Sequence, residues 1–231
     1  MRARKFEITM KDIFLIDMDD TLLDFPKAER ANLTQTLARF GFEIEDSHVA
    51  RFHAINDGLW KALERGETTR ERLKVQRFAL FFEAYGLQGD APAVAQAYWE
   101  NFPLVCFPFD GAAEFLKELK ARGRVYIVTN GGTLIQKRHL RDAGFEPFIE
   151  KVFISEEIGF DKPSAEFADF VEANIPDYAR ERAVWVGDSL TSDGKCAQTR
   201  GIDFILFTPR GGGSDYAGKR ASTYEEVLNL L

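Results

Sequence analysis

The sequence predicts an α/β fold, a parallel sheet with crossover helices that carries an inserted helical domain. Three observations predict it. Short β-branched and aromatic runs recur along the chain, they alternate with helical patterns in its second half, and a long stretch without strand character separates the first run from the second. At 231 residues the chain has room for one large core and a smaller appended unit.

The runs are Ile13 to Ile16, Val125 to Val128, Val152 to Ile154, Val184 to Val186 and Phe204 to Phe207. Each is apolar without alternation, as expected of a strand buried on both faces. Helical patterns occupy Gly111 to Arg122, ahead of the second run, and then Thr133 to Ala143, Ala165 to Asn174 and Leu190 to Arg200. Pro26 to about Phe102 reads as helix after helix. A crossover needs only about a dozen residues, so the excess is an inserted domain. Within it Thr68 and Glu71 read as a capping box, Gly86 as a C-terminal cap and Pro92 as a first-turn residue. Gly211 to Gly213 has no Lys-Ser/Thr and no helix signal after it, and is read as a surface loop and not a phosphate loop.

Composition excludes whole classes of partner. Acidic groups number 37 against 30 basic ones, a net charge of −7 with no compensating basic patch, so neither a nucleic acid polymer nor a membrane is an expected partner. The apolar runs are also far shorter than the ~20 residues that span a bilayer. Cys106 and Cys196 stand apart and outside any CxxC spacing, which reads as two reduced thiols in a cytoplasmic protein. Met1 to Lys5 is basic but no apolar run of leader length follows; Met10 offers an alternative start.

The chemistry-bearing residues sit where the strands end. The first strand runs into Asp17-Met-Asp19-Asp20-Thr21, whose side chains two apart share a face of an extended chain. The fourth ends at Gly187-Asp188-Ser189, with Asp193 a helical turn further on. Open parallel sheets bind ligands at these carboxyl ends. Two carboxylates ~4 Å apart repel by about 4 kcal/mol at an effective dielectric near 20, so a crevice shared by Asp17, Asp19, Asp188 and Asp193 calls for a cation. An all-oxygen acidic site suits Mg2+, and Lys162 is the other available positive charge. The second strand ends at Thr129-Asn130-Gly131-Gly132, which is either an ordinary turn or a phosphate-binding corner of hydroxyl, amide and backbone N–H groups.

Taken together, Asp17 to Thr21, Thr129 to Gly131, Lys162-Pro163 and Gly187 to Asp193 resemble, in order and spacing, the four signature motifs of the haloacid dehalogenase-like (HAD) superfamily of phosphohydrolases. The resemblance implies a Rossmann-like, doubly wound parallel sheet of order 3-2-1-4-5, with a catalytic core at 1–24 and 104–231 and an α-helical cap at 25–103. It also implies Asp17 as nucleophile, Asp19 as acid and base, and Thr129, Lys162 and the Asn130-Gly131 corner as holders of the phosphoryl group. Mg2+ would be bound by Asp17, the Asp19 backbone carbonyl and Asp188, with Asp193 in support. Dehalogenases of the superfamily lack an acid at the position of Asp19, so a phosphate ester is the expected substrate. The stretch Ile55 to Trp60, with Gly66 and Arg77-Phe78, further resembles the house-cleaning pyrimidine nucleotide 5′-nucleotidases, which points to nucleoside 5′-monophosphates. A sugar phosphatase, a phosphoglucomutase-like enzyme and a catalytically silent binding protein are the alternatives. Arg77 interrupts an otherwise apolar helical arc and reads as a salt-bridge partner inside the cap or as a substrate contact. Trp60, with Phe25 and Phe102, reads as a base-stacking platform or as core.

Overall fold

The computed structural model describes residues 10–213 and 215–231; the basic stretch Met1 to Lys5 lies outside them. The chain divides into two compact units, one formed by residues up to Thr21 with Gly111–Asn130 and Pro147–Leu231, the other by Leu22–Asp110 and Gly131–Glu146.

The first unit is built on a parallel sheet. β1 (Ile13–Ile16) lies between β2 (Arg124–Thr129) and β4 (Ala183–Gly187); β3 (Lys151–Ile154) flanks β2, and β5 (Asp203–Phe207) and β6 (Lys219–Ala221) extend the other side. The spatial order is therefore β3-β2-β1-β4-β5-β6, all parallel, which is the expected 3-2-1-4-5 extended by one strand. The added β6 is Lys-Arg-Ala with only Ala221 buried, a charged three-residue edge without a strand-like apolar pattern. β1 is the central strand, and all four of its residues are buried. Ile13 and Leu15 join Tyr126, Val128 and Trp185 in a cluster with Phe167, Val171, Cys196 and Ala197, while Phe14 and Ile16 point the other way and are equally buried.

The second unit is helical. It contains α1 (Phe25–Arg39), α2 (Asp46–Glu64), α3 (Arg70–Tyr85) and α4 (Ala91–Asn101). The first unit contributes α5 (Ala112–Arg122), and α6 (Thr133–Asp142) belongs with the helical unit. Asp24 and Asp90 cap α1 and α4 by accepting from the N–H of Lys27 and Ala93, with Pro26 and Pro92 in the first turns. The cap of α3 is Thr69, not Thr68: its hydroxyl accepts from Arg72, so the helix begins one residue later than the capping-box reading places it. Gly86 ends α3 with φ 61°, a left-handed position that glycine takes without penalty. Phe52, Phe78, Phe81 and Tyr98 form the aromatic centre of the unit, and Phe102 stacks on Tyr98 at 5.5 Å. Phe25 meets Phe102 edge-on at 5.8 Å, so both pack inside the unit.

The remaining helices belong to the sheet unit: α7 (Ser155–Ile158), α8 (Ala165–Ala173), α9 (Lys195–Arg200) and α10 (Tyr224–Leu230). A proline at 163 suits the first position of a helix, but it lies one residue ahead of the cap of α8, since Ser164 takes that place and accepts from the N–H of Phe167. Gly211, Gly212 and Gly213 form a loop with positive φ throughout. Both cysteines are free thiols. Among the described residues no helix is long and apolar enough to cross a membrane.

Candidate active site

Four strand ends of the sheet unit converge at β1, where the strand order reverses direction, the usual ligand crevice of a doubly wound sheet. Asp17 follows β1, Thr129 closes β2, Lys162 follows the short helix after β3, and Asp188 follows β4. The centre of the cluster is Lys162, whose side chain is 2% exposed. Its Nζ donates to Asp17 Oδ1 at 2.6 Å, to Asp193 Oδ1 at 2.7 Å and to the Val128 carbonyl at 2.9 Å. Three acceptors around an ammonium use all three of its protons.

Asp193 is held by its neighbours' chemistry. A short π-helical turn, Leu190–Gly194, carries it inward, Ser189 caps that turn by accepting from Ser192, and the buried indole N–H of Trp185 donates to Asp193 Oδ1 at 2.9 Å. Gly187 makes the approach feasible, since a Cβ there would lie 2.4 Å from the Asp193 carboxyl carbon. The amide of Asn130 is the second fastener: its Nδ2 donates to the Lys162 carbonyl at 2.9 Å and its Oδ1 accepts from the Lys162 N–H at 2.8 Å. This reciprocal pair fixes the segment that carries the lysine to the end of β2. Thr129 is buried at that end, and Thr21 donates to Asp17 Oδ2 at 3.4 Å.

The cluster is short of positive charge. Asp17, Asp188 and Asp193 each offer an oxygen within 4.8 Å of the others, against the single ammonium of Lys162. Burial, with the repulsion of Asp193 and Asp19, pushes Asp17 upward against the pull of Lys162. Burial and the neighbouring carboxylates raise Asp188 in the same direction. Lys162 is driven upward although burial opposes it, because Asp17 and Asp193 stabilise its charge. Asp193 Oδ2 is buried and accepts no hydrogen bond. A divalent cation with oxygen ligands fits this donor set: it would balance the two surplus negative charges and use the unsatisfied oxygen.

Asp17, Asp19, Thr129, Asn130, Lys162, Asp188 and Asp193 thus all belong to the sheet unit, whereas Gly131, Trp60 and Arg77 belong to the helical unit. Gly131 leaves room for the Gln136 side chain, which a Cβ would overlap at 2.0 Å. Trp60 is half-buried, with the Arg70 guanidinium 5.4 Å from its ring. Arg77 is 3% exposed; it donates to Asn56 Oδ1 at 3.2 Å and lies 4.5 Å from the Tyr98 ring centre. Asn56 in turn donates to Glu29 at 2.8 Å, and the other Glu29 oxygen pairs with His53 Nδ1 at 2.6 Å. Burial lowers the Arg77 pKa, opposed by the field of Glu29. Trp185, Glu29 and Tyr98 escape a motif reading, although a buried indole N–H always needs an acceptor and so signals a polar partner.

The HAD-like hydrolase family model matches residues 11–198. The chain belongs to the haloacid dehalogenase-like hydrolase family and is an enzyme of the hydrolase class. Among its relatives, the HAD-hydrolase YfnB of Bacillus subtilis is 35% identical over 84% of this chain and 83% of its own. A crystal structure of YfnB bound to magnesium matches with a TM-score of 0.90 at 32% identity, covering 96% of this chain and 99% of that one. The pyrimidine 5′-nucleotidase PynA of Streptococcus pneumoniae is 34% identical over 84% of this chain and 83% of its own. The ribulose-1,5-bisphosphate 5-phosphatase of Halopiger xanaduensis is 29% identical over 87% and 86% respectively.

Proposed function

We propose that this hydrolase is a Mg2+-dependent phosphomonoesterase that works through an aspartyl phosphate on Asp17 and acts on nucleoside 5′-monophosphates. The observation that carries it is the charge-deficient cluster at the strand ends, three carboxylates within 4.8 Å of one another of which two pair with the buried Lys162. Asp17, Asp188 and the Asp19 carbonyl, with Asp193 behind them, would hold the ion, which supplies positive charge to the phosphoryl oxygens.

The protein's own groups do the bond making. Lys162 holds the Asp17 carboxylate by Oδ1, and Oδ2, which accepts a long hydrogen bond of 3.4 Å from Thr21, attacks phosphorus. The bond from phosphorus to the ester oxygen breaks, and Asp19 gives that oxygen a proton. Asp19, now ionised, takes a proton from water as the water oxygen attacks the aspartyl phosphate. Inorganic phosphate leaves and Asp17 is restored. The Thr129 hydroxyl and the Asn130-Gly131 backbone amides hold the phosphoryl oxygens as their charge spreads, and the Lys162 ammonium, bound to its own three acceptors, adds its positive field.

The match to PynA and the aromatic content of the helical unit support a nucleotide substrate, with Trp60 as the stacking surface and Arg77 as an internal tie of that unit. The match to a sugar bisphosphate phosphatase supports the alternative. A phosphate-release screen over nucleoside monophosphates and sugar phosphates decides between them, with pyrimidine nucleotides expected to give the highest kcat/KM. Asp19→Ala tests the mechanism: p-nitrophenyl phosphate, whose leaving group needs no proton, should give one burst of nitrophenol and a phosphorylated Asp17 visible by intact mass. Neither burst nor adduct, with substrate still bound, refutes the role of Asp19 in the second step.

A further inference from the structure

Beyond residue 198, where the family match ends, the chain supplies β5, β6 and α10 to the sheet unit. Two side chains of this segment reach back to the turn that follows the motif aspartates. Arg210, in the loop after β5, donates through its guanidinium to Asp20 Oδ1. Tyr224, the first residue of α10, donates its hydroxyl to the Thr21 carbonyl at 2.8 Å.

Both attachments fall where the backbone needs them. Asp20 has φ 60°, a left-handed position that aspartate tolerates better than most L-residues and that the hydrogen bond from Arg210 helps to hold. Tyr224 is itself rigid. Its ring stacks on Phe115 at 4.6 Å and on Phe207 at 4.9 Å, and the capping box of Thr223 and Glu226 fixes the start of α10. Burial pushes its hydroxyl further above the ordinary tyrosine range, so it remains a donor at every working pH. Asp17 is locked separately by Lys162. Asp19 is only half-buried, and the turn that aims it is held at its next two residues by the C-terminal segment.

We propose that Arg210 and Tyr224 are positioning residues for Asp19, holding the Asp20-Thr21 turn so that its carboxyl stays within proton-transfer reach of the leaving oxygen. This rests on the reading of Asp19 as the general acid. Proton transfer needs heavy atoms about 2.6–3.2 Å apart, and a misplacement of ~1 Å costs as much as 100-fold in rate, so loosening the turn should slow the acid-dependent step selectively.

The test compares leaving groups in Tyr224→Phe, which keeps the ring stack, and in Arg210→Ala and Arg210→Lys. With a nucleoside 5′-monophosphate, kcat should fall roughly tenfold in Tyr224→Phe and Arg210→Ala, with KM within about twofold. The pre-steady-state release of nitrophenol from p-nitrophenyl phosphate should change less than about twofold, and Arg210→Lys should recover part of the loss. Equal losses on both substrates, or none, overturn the positioning role. Asp19→Ala is run alongside. If it shows the leaving-group effect while the other variants do not, the positioning proposal alone falls. If it shows none, the acid role of Asp19 falls and takes this proposal with it.

Discussion

The two units each bury a polar cluster, and the clusters differ in charge balance. In the sheet unit Asp17 and Asp193 pair with the ammonium of Lys162, and Asp188 lies within 4.8 Å of both carboxylates. In the helical unit Glu29 is matched by Arg77 through Asn56, with His53 on its other oxygen, and Tyr98 lies against the guanidinium. This cluster ties helices together, since Glu29 is on α1, Asn56 on α2 and Arg77 on α3, although Arg77 Nε and Nη2 and the Tyr98 hydroxyl are buried without a hydrogen bond among the described residues. A cluster with surplus negative charge is held together by the fold at an energetic cost, and that surplus is useful only when a cation and an anionic substrate arrive.

The largest effect that would test this contrast is loss of chemistry without loss of fold. Asp17→Asn should lower kcat by roughly three orders of magnitude or more, because an amide cannot form the phosphoenzyme, while thermal stability holds as one repelling charge disappears. Phosphate release and a melting curve on the same sample check both halves.

Arg77→Ala should do the reverse. Removing the guanidinium takes a donor from Asn56 and empties buried volume beside the Tyr98 ring, a loss of about 2–5 kcal/mol in denaturant unfolding. Arg77→Met combined with Glu29→Gln should cost less than the two single changes summed. An Arg77→Ala protein of unchanged stability and raised KM would break the comparison, since Arg77 would then serve substrate and not the helices.

Mg2+ should stabilise the protein by about 2.7 kcal/mol at an ion concentration 100 times its Kd, because only the folded chain assembles the carboxylates. Asp188→Asn should remove most of that gain. A melting temperature indifferent to Mg2+ in the parent protein would show that Lys162 alone suffices.

The smallest effect calibrates the role of burial. Asp12 accepts from Arg182 Nε at 2.9 Å in a pair that is only partly covered, and that bond, with the guanidinium's field, holds the Asp12 carboxyl below the ordinary carboxylate range. A lowered carboxylate pKa adds stability that is present above the unfolded value and lost as pH falls through the folded one. Asp12→Asn should therefore cost under about 1 kcal/mol near neutral pH, less in high salt, and nothing once the pH is below the Asp12 pKa. Equilibrium unfolding at two pH values and two salt concentrations measures it.

Much of this is legible in the amino-acid sequence. The runs at Ile13, Val125, Val152, Val184 and Phe204 are the first five strands, because a strand buried on both faces must be apolar at every position and so announces itself. β6 gave no such signal, as three residues of an edge strand need only one apolar contact. Thr68 and Thr69 are chemically equivalent as caps, and in the structure it is Thr69 that accepts from Arg72. Ser164 caps α8 because its hydroxyl satisfies the N–H of Phe167, which Pro163 has no acceptor to do.

The sequence alone determined the sheet's parallel character and the identity of the residues at its strand ends, since hydrophobic period and local spacing are properties of neighbours along the chain. The tertiary structure decided which of those residues touch. Lys162 meets Asp17 across 145 residues and Asp193 across 31, Tyr224 meets Thr21 across 203, and Arg77 meets Asn56 across 21. Such pairings depend on strand order and helix packing, where one side chain's partner is set by every element between them, and no local pattern encodes that distance.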